Sequence, residues 1–313
     1  MWDELGDLRR AAKRDFRRLA VALILQETLL IASAYAIQRA LARYLATHVI
    51  RIPPLTPDEI YDMVWNTGVD MIAASLVGLA VVLVFLGGRL RRETPAEPIG
   101  VRRFLIAVVA INGMQLLSSL ISIPLENFVD SLGYSLEQAA EISSGASVTV
   151  SMFLYSVIIA PLVEEAVFRG AVLRWLEPWG RGFALAVSAL LFGLMHGNLV
   201  QFPTAVACGL VFGYVSQRFS LKAAVAAHAA NNLLVELIGI LPDEWELVWG
   251  GYSAMMLMSG AYVIYWALTH CRQLARELRG EGFPVAKWFF TSIPVLLLLA
   301  LYIVRTLESA VPV

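Results

Sequence analysis

Several ionisable or polar side chains stand inside long apolar runs: Glu164, Glu165, Arg169, His196, His228 and Asn232. They fall in three short patterns, Glu164-Glu165-Ala-Val-Phe-Arg169, Phe192-Gly-Leu-Met-His196 and His228-Ala-Ala-Asn-Asn232. Charge deep in a bilayer is costly and usually marks function. A carboxylate withdrawn from water can serve as a base near neutral pH. His and Asn side chains can donate to a developing oxyanion. These residue types therefore suit water-dependent hydrolysis in a polar pocket within lipid.

Spacing sorts their directions. Adjacent residues on a helix point about 100° apart, so Glu164 and Glu165 cannot share one face. Glu165 and Arg169 are spaced i,i+4 with the acid first, the favourable order for a helix ion pair. That pairing removes two bare charges from lipid and leaves Glu164 to find a partner across the bundle. Phe192 and His196 share a face just before Gly197-Asn198, a helix-end signal. His228 and Asn232 share another face, among Ala227, Ala229 and Ala230, which permit close helix approach.

The elements that must position these groups are set by composition. The chain has 313 residues, 58% hydrophobic and only 16% charged. Mean hydropathy is +0.69. A soluble chain needs more charge to cover its surface, so soluble enzymes, nucleic-acid binders and disordered proteins are excluded. Net charge is −1, and there is no basic field for nucleic acid. Cys208 and Cys271 form neither a disulfide framework nor a cysteine metal cluster.

A spanning helix needs about 20 apolar residues, and about eight or nine such runs are visible. They lie near 19–41, 68–88, 104–124, 147–173, 183–197, 201–217, 223–241, 251–270 and 287–306. The expected fold is an all-α polytopic membrane helix bundle. Residues 19–313 form one transmembrane domain, with a catalytic core about 145–240. Residues 1–18 read as a basic interfacial segment. The segments 43–66 and 125–146 read as the longest outer loops, with turns at Pro53-Pro54 and Ser143-Ser144-Gly145.

Basic residues fall in alternate loops: Arg9 to Arg18, Arg89 to Arg103, Arg174 and Arg181, Arg218 and Lys222, and Arg272 to Lys287. The intervening loops are acidic or neutral, as at Glu137, Glu141, Asp243 and Glu244. The positive-inside rule places the N-terminus and the basic loops in the cytoplasm. Helical rise then puts Glu164 about 15 Å, His196 about 20 Å, His228 about 9 Å and Asn232 about 15 Å from that surface. Allowing for tilt, all fit one layer of the bundle. Glu27 reads as an interhelical hydrogen-bonding group. Glu236, on the His228 and Asn232 face, divides evenly between support of a site and interhelical contact. His48 and His270 read as incidental.

The three patterns, in this order and on separate spans, resemble the signature of the CPBP family. Its members are CAAX proteases and bacteriocin-processing enzymes, also called Abi or type II CAAX prenyl endopeptidases. The resemblance implies an intramembrane endopeptidase without a cofactor. It implies that Glu164 activates water with help from His196, and that His228 and Asn232 stabilise the oxyanion. Glu165, Arg169 and Phe192 would support them. A rival mechanism makes Glu164, His196 and His228 ligands of a zinc ion, with a fourth position for water. No His-Glu-x-x-His motif is present, so the usual helix-borne zinc signature is missing.

The expected partners are the lipid bilayer and a membrane-associated protein or peptide substrate, with or without a lipid, in the plasma membrane of a prokaryote. No nucleic-acid partner is expected. Two other functions compete: a non-catalytic binding or immunity protein of the same fold, and a proton-coupled transporter. The transporter lacks a visible inverted repeat. Nothing in the sequence selects the substrate.

Overall fold

The computed structural model describes residues 2–49, 54–90, 97–144, 147, 149–279 and 283–313. These are almost entirely helical. In order they are α1 (Trp2–His48), α2 (Pro57–Thr67), α3 (Val69–Leu90), α4 (Val101–Ser131) and α5 (Glu137–Ser144). A helical run at Val150–Trp179 follows as α6. Then come α7 (Arg181–Met195), α8 (Gln201–Arg218), α9 (Leu221–Gly239), α10 (Glu246–Arg279), α11 (Phe283–Phe290) and α12 (Ile293–Leu307). Strand β1 (Tyr134–Ser135) pairs antiparallel with β2 (Val311–Pro312), matching Tyr134 to Pro312.

Over its described residues each apolar run is largely helical. Among the described residues, five helices are long and apolar enough to cross a membrane: α1, α3, α4, α6 and α10. The helices α7 and α12 are apolar but shorter. The last run divides into α11 and α12 because the helix ends at Thr291-Ser292 and restarts with Pro294 in its first turn. Proline lacks the N–H that a continuing helix would need and is favoured at a helix start.

The helix α1 continues unbroken through residue 18. Ala12, Phe16 and Leu19 are buried in the main core, while Arg9, Arg10, Arg14, Arg17 and Arg18 stay exposed. Phe16 meets Phe289 at 5.1 Å and Trp179 at 5.8 Å between ring centroids. The Trp175 indole donates to the Asp15 carbonyl at 3.0 Å.

The segments expected as long outer loops are largely helical. Thr56 caps the N-terminus of α2 in a reciprocal capping box with Glu59, and Pro57 occupies the first turn. Pro53 and Gly145, expected at turns, lie outside the described residues.

Basic loops share one end of the bundle. Glu97 accepts from Arg103 at 3.2 Å and from Arg218 at 2.8 Å. Arg181 donates to the Gln217 carbonyl at 3.3 Å. The Arg18 guanidinium lies over the Trp175 ring at 5.2 Å. Arg91 and Arg92, and the side chains of Arg89, Arg276 and Arg279, lie outside the described set.

The helix α1 lies along α3, α4 crosses α8 and α10, and α6 is enclosed by α3, α7 and α9. The α4–α10 crossing is tight. A Cβ on Gly113 would collide with the Ser259 backbone, so only glycine fits there. Helix α10 rests mainly on α4.

Candidate active site

The helix that carries Glu164 and Glu165 is not uniformly α. It is widened into π-helix at Tyr155–Ile159 and at Ala166–Leu173, with α-helix at Ala160–Glu165 between them. Pro161 accounts for the first widening. It has no N–H to return to the preceding turn, and the Ala160 N–H reaches back to the Tyr155 carbonyl instead. The Ser156 carbonyl is thus freed, and Asn232 donates its Nδ2 to it at 2.9 Å. The second widening starts directly after Glu165. Such π turns concentrate at functional sites because they displace side chains from the 3.6-residue register.

Glu165 and Arg169 are both fully buried, and Arg169 Nη1 donates to Glu165 Oε1 at 2.9 Å. Arg169 Nη2 donates to the Gly209 carbonyl of α8 at 3.1 Å. The guanidinium also lies 4.2 Å from the Phe192 ring centroid and 5.4 Å from that of Phe212. This is a cation held by one carboxylate, one carbonyl and two aromatic faces, which together offset its desolvation.

Glu165 has a second role. His228 Nδ1 lies 3.0 Å from the same Oε1. An ionised carboxylate only accepts, so Nδ1 carries the proton of that bond. The imidazole stacks on Phe212 at 4.5 Å. Its tautomer and plane are therefore set from two sides. The other nitrogen, Nε2, faces Glu164 Oε2 at 3.9 Å.

Glu164 makes no hydrogen bond to Arg169 among the described residues, and its side chain is 20% exposed while that of Glu165 is sealed. His196 closes α7. Its Nδ1 donates to the Phe192 carbonyl at 2.8 Å, which leaves Nε2 as the free acceptor of a neutral ring. Its ring meets Phe192 edge-on at 4.9 Å. His196 lies within electrostatic reach of both Glu164 and His228. No direct hydrogen bond joins His196 to Glu164 among the described residues. Asn231 donates to Asn232 Oδ1 at 3.3 Å. One hydrogen of the Asn232 amide remains after Ser156 is served.

The three patterns thus meet in one layer, as the depth argument expected. The geometry adds Gly209 and Phe212 of α8, which carry no motif. Glu236 holds Ser147, ahead of α6, accepting from its N–H at 2.9 Å and its hydroxyl at 2.7 Å. Glu27 is buried and ion-paired with Arg305 of α12. Neither of those partners was legible from local spacing. No trio of His, Cys, Asp or Glu groups is gathered at metal-ligating spacing among the described residues.

Residues 146–234 match the family model of the type II CAAX prenyl endopeptidase Rce1-like proteins. The curated protein named "Putative membrane peptidase YdiL" of Bacillus subtilis (strain 168) is 24% identical over 141 residues. The alignment covers 44% of this chain and 58% of that protein's length. No solved structure matches the chain significantly. The matched region, which holds all three polar patterns, is thus similar to that family, and the chain is built as a polytopic helical membrane protein.

Proposed function

We propose that the chain is an intramembrane endopeptidase that cleaves a peptide bond of a membrane-associated or lipidated protein or peptide. The observation that carries this reading is the placement of a partly open Glu164 3.9 Å from His228, beside a sealed Glu165–Arg169 pair. Glu164 takes a proton from water, assisted by His196 Nε2, and the resulting hydroxide attacks the peptide carbonyl carbon. The carbonyl oxygen becomes an oxyanion that accepts from His228 Nε2–H and from the spare Asn232 N–H. As the tetrahedral intermediate collapses, the C–N bond breaks and the proton held by Glu164 passes to the leaving amine.

Charge balance supports the role of His228. Its Nδ1 proton is committed to Glu165, so Nε2 can donate only when the ring is an imidazolium. With that ring charged, Arg169 and His228 balance Glu164 and Glu165. Neutrality of the set suits a site surrounded by lipid and protein. The catalytic core falls within about 145–240, and the remaining helices enclose it. The basic end faces the cytoplasm of a prokaryotic cell, in keeping with the positive-inside rule.

The test compares protein termini in membranes of cells carrying wild type, Glu164→Ala or His196→Ala. A set of cleaved membrane proteins lost in both variants supports the reading. The purified protein must then cleave the recovered peptide. Cleavage at the wild-type rate by both folded variants would sink it.

A further inference from the structure

The turn that presents His196 is held by a side chain from the far end of the chain. The helix α7 ends in a left-handed Gly197 (φ 60°), whose N–H returns to the Leu194 carbonyl at 3.1 Å. Arg305 of α12 packs against Gly197: a Cβ there would lie 3.2 Å from its Nη2 and 3.3 Å from its Cζ. The backbone conformation calls for glycine, and a Cβ would also crowd the guanidinium. Arg305 is itself anchored by an ion pair to Glu27 of α1, whose side chain is 1% exposed. One turn further along, Ser309 Oγ accepts the Leu199 N–H at 3.0 Å. The helix α12 and the turn that follows it therefore grip both sides of Asn198, which caps α8 by accepting the Val200 and Gln201 N–H groups at 2.9 and 3.1 Å.

We propose that Arg305, clamped by Glu27, is a positioning residue that fixes the Gly197 turn and so aims His196 at Glu164. It does not touch the reacting atoms. Both Glu27 and Arg305 lie outside residues 146–234, so the matched domain draws part of its geometry from the first and last helices. The importance of that aim rests on the peptidase reading, but the clamp can be tested without a substrate.

The experiment uses the full chain in detergent and diethyl pyrocarbonate, which acylates unprotonated imidazole nitrogens, with mass spectrometry reading each histidine. In Arg305→Ala the labelling rate of His196 rises severalfold, His228 and the exposed His48 and His270 keep their rates, and Arg305→Lys restores much of the protection. Glu27→Gln, which keeps shape and removes the counter-ion, moves His196 the same way by less, and serves if Arg305→Ala does not fold. Wild-type labelling of His196 in Arg305→Ala or Glu27→Gln overturns the proposal. So does a parallel rise at His196 and His228, which marks general loosening. With a cleavable peptide in hand, kcat falls about 10- to 100-fold in Arg305→Ala while KM stays nearly constant. A kcat unchanged while His196 loosens separates the clamp from the peptidase reading and removes only the catalytic role of His196.

Discussion

Asn232 donates to the carbonyl oxygen of Ser156 at 2.9 Å, and Pro161 is the reason that carbonyl is free. The asparagine of the third motif therefore completes the backbone of the helix that bears the first. Asn232→Ala leaves the half-buried Ser156 carbonyl unpaired and lowers stability by about 1 kcal/mol, the scale of interhelical hydrogen bonds in membranes. Asn232→Asp recovers none of this, because a carboxylate cannot donate. Pro161→Ala returns an N–H to the turn, so Asn232→Ala costs less in that background. Unfolding midpoints of the four proteins of this double-mutant cycle decide it.

Much of the site was legible because lipid makes a charge hard to hide. Glu164, Glu165, Arg169, His196, His228 and Asn232 stood out as polar groups in apolar runs. The i,i+4 rule then paired Glu165 with Arg169 before any coordinates were needed. The two π turns were not legible, since a pattern read at 3.6 residues per turn carries no mark of an inserted residue. The link between Glu27 and Arg305 was hidden by sequence distance. The helix α2 falls in a segment expected as loop: Thr56, Pro57 and Glu59 spell its capping box, but at 11 residues it is too short to show as an apolar span. Residues 1–18 show a basic face at the surface, but their sparse apolar stripe, with Ala12 and Phe16, was the part that found the core.

Breaking the sealed pair from one side should be severe. Arg169→Met leaves Glu165 buried with only His228 as a charged partner and costs about 3–5 kcal/mol. Replacing both residues with apolar ones costs less than the sum of the single changes, yet still abolishes cleavage because His228 loses its anchor. Denaturant titration in mixed micelles and a peptide assay give the two readouts.

Gly209→Ala should act through crowding. The new Cβ would lie 3.0 Å from Arg169 Nη2, 3.1 Å from the Phe192 ring and 3.3 Å from the Ala189 backbone. Overpacking at such a point costs about 1–3 kcal/mol. Gly250→Ala meets nothing within 4 Å, and stabilises its helix by about 0.4–1 kcal/mol. Opposite shifts in melting temperature are the expected outcome.

Metal content separates the two chemistries open to this cluster. The protein purified without chelator should hold much less than one zinc per chain, and its cleavage should survive a strong chelator. One tightly bound zinc with chelator-sensitive activity would reassign Glu164, His196 and His228 as ligands.

The partner of the buried Arg169 sits four residues earlier on the same helix, and that has a consequence for how the chain enters the membrane. An isolated arginine or acid at the centre of a span opposes insertion by about 2.5–3.5 kcal/mol. Paired within α6, the two enter as a compact dipole that needs no later helix to neutralise it. Of the charges Glu164, Glu165 and Arg169, only Glu164 then enters without a partner, with Gly209 and His228 arriving afterwards to complete a pair already neutral.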